Sequence, residues 1–87
     1  MSDARALEEI KRLVALGHVV FTRHARQRMD ERGARATDVC NALSTATSAT
    51  LQTDRDNWRV DGGVDHEGDG MTVIVDIEAD VIVVTLF

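Results

Sequence analysis

The apolar positions change period once along the chain, from that of a helix to that of a strand. Ala6, Leu7, Ile10, Leu13 and Val14 follow i, i+3, i+4 and i+7 spacing, which lays one apolar stripe along a helix. Ser2 or Asp3 can accept the free N–H groups at its start. Glu8 and Glu9 come early and Lys11 and Arg12 late, the order that the helix dipole favours. Gly17 suits the left-handed position just past a helix end, and His18 after it suits a favourable C-terminal charge.

His18-Val19-Val20-Phe21-Thr22 is short, β-branched and aromatic, and predicts a strand. Thr22 can then cap a second helix from Arg23 to Arg32, closed by Gly33 as the first is by Gly17. Only Ala25 and Met29 give this helix an apolar stripe. Beside them His24, Arg28 and Arg32 form a row at i, i+4 and i+8. Thr37-Asp38 opens a third helix with Val39, Ala42, Leu43 and Ala46 on one face and Cys40 toward the inner side. It fades through Ser44-Thr45-Ala46-Thr47, whose hydroxyls favour caps and turns.

From Ser48 the alternation has period 2. Residues 48–53 predict a strand, Asp54-Arg55-Asp56 a turn, and residues 57–61 a strand in which Trp58 and Val60 oppose Asn57, Arg59 and Asp61. Gly62 to Gly70 reads as a loop and residues 71–77 as the next strand. Glu78-Ala79-Asp80 then turns the chain into Val81-Ile82-Val83-Val84-Thr85-Leu86-Phe87. That last run is apolar on both faces, the pattern of a central strand covered on each side, and only Thr85 breaks it. The expected architecture is one α+β domain over residues 1–87, with N-terminal helices packed on a twisted antiparallel sheet of about four strands.

Composition narrows the function classes. The chain has 87 residues, of which 44% are hydrophobic and 29% charged, the balance of one small globular domain rather than a disordered segment. No apolar run is long enough to span a bilayer and the N-terminus lacks the order of a secretory signal, so a cytoplasmic protein without membrane partners is expected. The single cysteine excludes an internal disulfide and a multi-thiolate zinc site. Phe21, Trp58 and Phe87 are the only aromatics, which argues against the stacking platforms of single-strand binders. A net charge of −5 argues against general affinity for nucleic acid, but the average hides a gradient. Residues 1–35 carry eight Lys or Arg against five Asp or Glu, and residues 36–87 carry two against ten.

The basic half holds the sharpest candidate chemistry. His24 and Arg28 lie one helical turn apart and can engage one ligand, with Arg32 a turn further. A histidine beside guanidinium groups suits proton transfer at a phosphodiester, with the arginines forking onto phosphate oxygens. On spacing alone the simpler reading is a solvated cationic face, with Arg23, Arg26, Arg28, Arg32 and Arg35 partnered by Asp30 and Glu31. Thr85 is a hydroxyl in an apolar strand, which either bonds a neighbouring backbone or lines a cleft. Arg59 is the one basic residue within the strands and can reach a phosphate or pair with Asp61 or Asp76. The acidic stretch Asp61 to Gly70 does not follow the EF-hand spacing and reads as a hairpin tip, so no metal or cofactor is expected.

Phe21-Thr22-Arg23-His24-Ala25-Arg26-Gln27-Arg28-Met29-Asp30-Glu31-Arg32-Gly33 resembles the opening signature of domain-of-unknown-function family 4258. That family's pattern is a Thr-x-His-Ala-x-x-Arg-Met-x-x-Arg-Gly helix, a short helix and four strands. The resemblance spans about residues 18–87 and leaves residues 1–17 as an additional N-terminal helix. The family is similar to RelE-like and BrnT-like toxins, grouped with the barnase, EndoU, colicin and RelE (BECR) class of metal-independent ribonucleases. The resemblance therefore implies a RelE-like fold with His24, Arg28 and Thr85 as catalytic positions and Arg32 and Arg59 as substrate-binding ones. It further implies RNA, free or on the ribosome, as substrate, and a cognate antitoxin in a bacterial toxin–antitoxin pair. The alternative is a non-catalytic interaction module whose arginine-rich helix docks an acidic partner and whose C-terminal strands serve homo-oligomerisation. The net charge favours the module; the combination of His24, Arg28 and Thr85 favours the ribonuclease.

Overall fold

The computed structural model describes all 87 residues, and its helices begin and end where short-range capping chemistry places them. Helix α1 (Asp3–Ala15) is capped by Ser2, whose Oγ accepts the Arg5 N–H at 3.2 Å, and it buries Ala6, Ile10 and Leu13. Strand β1 (Val19–Phe21) leads into α2 (Arg23–Arg32), capped by Thr22 and ended by Gly33 at φ 72. Helix α3 (Ala36–Thr45) starts one residue before Thr37. There the Asp38 carboxylate accepts the Arg35 N–H at 2.9 Å, while Val39, Ala42 and Leu43 are buried.

Strands β2 (Ser48–Gln52), β3 (Asn57–Val64), β4 (Gly70–Ile77) and β5 (Val81–Leu86) follow, and the sheet order is β1-β5-β4-β3-β2. The expected sheet of about four antiparallel strands is therefore corrected to a mixed sheet of five. β1 pairs in parallel with β5, with Val19 opposite Val81 and Phe21 opposite Val83, while all other neighbours are antiparallel. At three residues β1 is too short to carry a period, and its partner lies some sixty residues away, so sequence pattern alone cannot assign it to the sheet.

Two bulges shape the sheet. Between Val60 and Gly63 the β3–β4 register shifts, with Gly62 at φ 83, and β3 continues to Val64. The loop expected over Gly62 to Gly70 therefore shrinks to residues 65–69. In β5, Ile74 faces Thr85 while Val75 faces Val83, so Val84 is the extra residue. A regular strand would put Val81, Val83 and Thr85 on one face. The bulge instead sends Leu86 into the core beside Val81 and Val83 and turns Thr85 to the other face.

One core joins Ala6, Ile10 and Leu13 of α1, Ala25 and Met29 of α2, and Val39 and Leu43 of α3 to Val60, Val73, Val75, Val83 and Leu86 of the sheet. The helices thus cover one sheet face. The other carries the cross-strand row Thr50, Arg59, Ile74 and Thr85, each paired with the next. β5 is internal, as its apolar run suggests, but only one of its faces lies under helices; Ile82, Val84 and Thr85 remain half-buried.

Candidate functional site

Helix α2 is too polar to be held by burial alone, and backbone carbonyls anchor it along its length. β1 ends opposite Val83, so the β5 carbonyls beyond that point lose their strand neighbour and need other donors. The α2 side supplies them. The Thr22 hydroxyl donates to the Val84 carbonyl oxygen at 3.0 Å, and Arg28 donates from Nε to that of Leu86 at 3.4 Å. One turn on, Arg32 donates from Nη2 to the Gly70 carbonyl oxygen at 2.6 Å, at the start of β4. These bonds lay the basic helix along the C-terminal half of β5.

Between them opens a hollow of about 340 Å³ lined by Arg28, Glu31, Arg32, Leu86 and Phe87. Each guanidinium has five N–H donors and spends few of them on its carbonyl, so donors remain for an anion in the hollow. Phe87 is paired with Thr72 through N–H to carbonyl bonds of 2.8 and 2.9 Å, which extends the β4–β5 ladder to the wall of the hollow. The Arg59 guanidinium sits 5.3 Å from the centroid of the Phe87 ring. Arg59 is itself held by Asp61, with Nε 3.0 Å from Oδ2, and the Asp61 carboxylate also accepts the Thr72 hydroxyl at 3.0 Å. Of the two acids the sequence offers Arg59, it takes Asp61.

The expected site residues are therefore only partly assembled. Arg28 and Arg32 share the hollow. Arg59 reaches its wall through Phe87 rather than opening into it. Thr85 stands next to Leu86 in the chain but faces the helix-free side of the sheet, in register with Ile74 and Arg59. His24 is exposed on α2, one turn before Arg28, and does not line the hollow. Phe87 was not among the expected site residues. Alternation gives no signal for it, because a regular strand groups it with Val81 and Val83, and only the bulge at Val84 turns it to the face of Arg59.

A larger hollow, about 510 Å³, lies at the opposite hairpin ends and is lined by Arg55, Asp56, Trp58, Asp76, Ile77 and Glu78. Three acids against one arginine repel phosphate, so we place the candidate chemistry at α2. The acidic β3–β4 loop is explained by its own hydrogen bonds. Asp65 Oδ1 accepts the N–H groups of Glu67 and Asp69, both at 2.9 Å, and no cluster of three or more His, Cys, Asp or Glu converges as metal ligands. Asp38 Oδ1 accepts the His66 N–H at 3.2 Å and so ties this loop to α3. The bonds from Arg35 and His66 hold the Asp38 carboxyl below the usual carboxylate range. Cys40 is half-buried rather than a core residue, because α3 turns Val39, Ala42 and Leu43 inward, and its burial pushes the thiol pKa up.

The sequence profile of a family described as "Domain of unknown function (DUF4258)" matches residues 21–87, from the end of β1 through every element of the hollow. Comparison with curated proteins finds no match.

Proposed function

The chain belongs to the DUF4258 family, and from the basic hollow that the shared region builds we propose that it is a metal-independent endoribonuclease. In this reading its fold is RelE-like (BECR), related to the RelE and BrnT toxins, and it is the toxin of a bacterial pair whose antitoxin blocks it in the cytoplasm. The observation that carries the reading is the seating of Arg28 and Arg32, one turn apart, in an open hollow against the end of β5. A phosphodiester drawn into that hollow meets two guanidinium groups, with the single carboxylate of Glu31 on the same lining.

The reaction is intramolecular. The ribose 2′-oxygen attacks the adjacent phosphorus and gives up its proton, the bond from phosphorus to the 5′-oxygen breaks, and that oxygen gains a proton. The products are a 2′,3′-cyclic phosphate and a 5′-hydroxyl. His24 carries a proton as general acid or base, which requires the substrate strand to run from the hollow along the exposed side of α2. Arg28, with Arg32, balances charge that develops on the phosphate oxygens. Thr85, which faces the helix-free side of the sheet, takes no part in this step, and Arg59 acts on the hollow only through Phe87.

The test is cleavage of a labelled single-stranded RNA by the purified chain, with identification of the cyclic phosphate. His24→Ala is expected to lower the rate about a hundredfold or more; an unchanged rate removes His24 from the mechanism.

A second reading, a non-catalytic module of the same fold, draws on the internal pairing of the arginines. Arg28 and Arg32 each donate to a carbonyl and Arg59 is paired with Asp61, as in a face built for structure and docking. Expression separates the two: growth arrest that survives His24→Ala with Arg28→Ala favours the module.

A further inference from the structure

Phe87 is 48% exposed, in a chain whose other large apolar side chains mostly lie in the core. An exposed aromatic ring is usually mobile, but this one is fixed twice. Its backbone is paired with Thr72 on β4, and the Arg59 guanidinium lies over its ring at 5.3 Å. Arg59 is in turn held by Asp61, and Asp61 by Thr72, so ring, guanidinium, carboxylate and hydroxyl form one chain of contacts across β5, β3 and β4. Phe87 thus touches both Arg59, whose guanidinium lies over its ring, and the hollow that it lines with Arg28 and Arg32.

We propose that Phe87, one ring rather than the platform of several that the sparse aromatics exclude, is a stacking seat for one unpaired nucleobase of a single-stranded RNA, beside the phosphate held by Arg28 and Arg32. A propped ring loses little freedom when a base settles on it, and every base presents a π-face, so the seat is tolerant of sequence but requires a base free of a duplex. The hollow, about 340 Å³, has room for one base with its phosphate. Arg59 is a positioning residue here, because its charge is matched by Asp61 and its guanidinium holds the ring. The inference rests on the ribonuclease reading and gives that site its substrate class.

The experiment uses the full chain carrying His24→Ala, so that RNA is bound without being cut, and measures fluorescence anisotropy with two labelled strands. One is a short single-stranded oligoribonucleotide and the other the same backbone without bases. Phe87→Leu is expected to weaken the base-bearing strand about tenfold and to leave the abasic strand unchanged. Phe87→Tyr should restore the affinity, and Arg59→Gln should weaken the base-bearing strand alone. Equal losses on both strands, or none, overturn the stacking seat while leaving cleavage by the parent chain as a separate result. Failure of the parent chain to bind or cut any RNA overturns the ribonuclease reading and the seat with it.

Discussion

The hydroxyl of Thr22 donates to the Val84 carbonyl oxygen at 3.0 Å and accepts the Ala25 N–H at 3.1 Å. One side chain thus starts helix α2 and fixes it to the bulge of β5. Thr22→Val keeps the shape and removes both bonds, and is expected to cost about 1–2 kcal/mol. Thr22→Ser should retain most of that stability. Urea unfolding of the three proteins decides it, and a Val variant as stable as the parent would refute the double role.

Gly63 lies against α3 so closely that an added Cβ would sit 1.8 Å from the Ala42 carbonyl oxygen, which belongs to the backbone and cannot swing aside. Gly63→Ala should cost about 3 kcal/mol or more, since helix and strand must separate. Gly68→Ala meets no atom within 4 Å and is strained only by its φ of 85, so about 1 kcal/mol is expected. Thermal unfolding that ranks the two the other way would contradict the packing.

The Asp38 carboxylate accepts N–H groups from Arg35 and His66, which lowers its pKa in the folded chain below the ordinary 3.8. A lowered folded pKa means that the contribution is present above about pH 4 and fades as pH falls through the folded value. Stability should therefore decline in that acid window in the parent and more shallowly in Asp38→Asn. Parallel acid limbs in the two proteins would show that Asp38 is not the group titrating.

Burial raises the Cys40 thiol pKa, so little thiolate exists near neutrality. Iodoacetamide should alkylate Cys40 more slowly in the folded chain than in urea at the same pH. Mass spectrometry over time reads the difference, and equal rates would mean that the thiol is as open as in the unfolded chain.

In the proposed mechanism, cleavage by the 2′-hydroxyl draws on a side-chain proton carrier and guanidinium charge and on no metal. Excess EDTA should leave the rate of RNA cleavage unchanged, with a cyclic phosphate still the product. Loss of activity on chelation, restored by a divalent cation, would end the metal-independent mechanism.

Much of the site was legible in local pattern. Thr22 and Gly33 bounded the basic helix, Ala25 and Met29 marked its buried side, and the i, i+4, i+8 row contains Arg28 and Arg32, which line one hollow. The same spacing put His24 with them, yet His24 is left on the exposed part of α2, because the hollow is closed by β5 only from Arg28 onward. Phe87 is not visible in the alternation, which groups it with Val81 and Val83; the bulge alone brings it to the face of Arg59, two strands away.

The sequence by itself determined the three helices, their ends, the strand-forming segments and the segregation of positive charge, because caps and periodicity act over a few residues. The tertiary structure alone decided that β1 joins β5 in parallel and that Arg59 takes Asp61. It also decided which way Thr85 points. One extra residue in β5, set by pairing against β4, exchanges the faces of Thr85 and Leu86, and pairing between distant segments leaves no mark in the period of either strand.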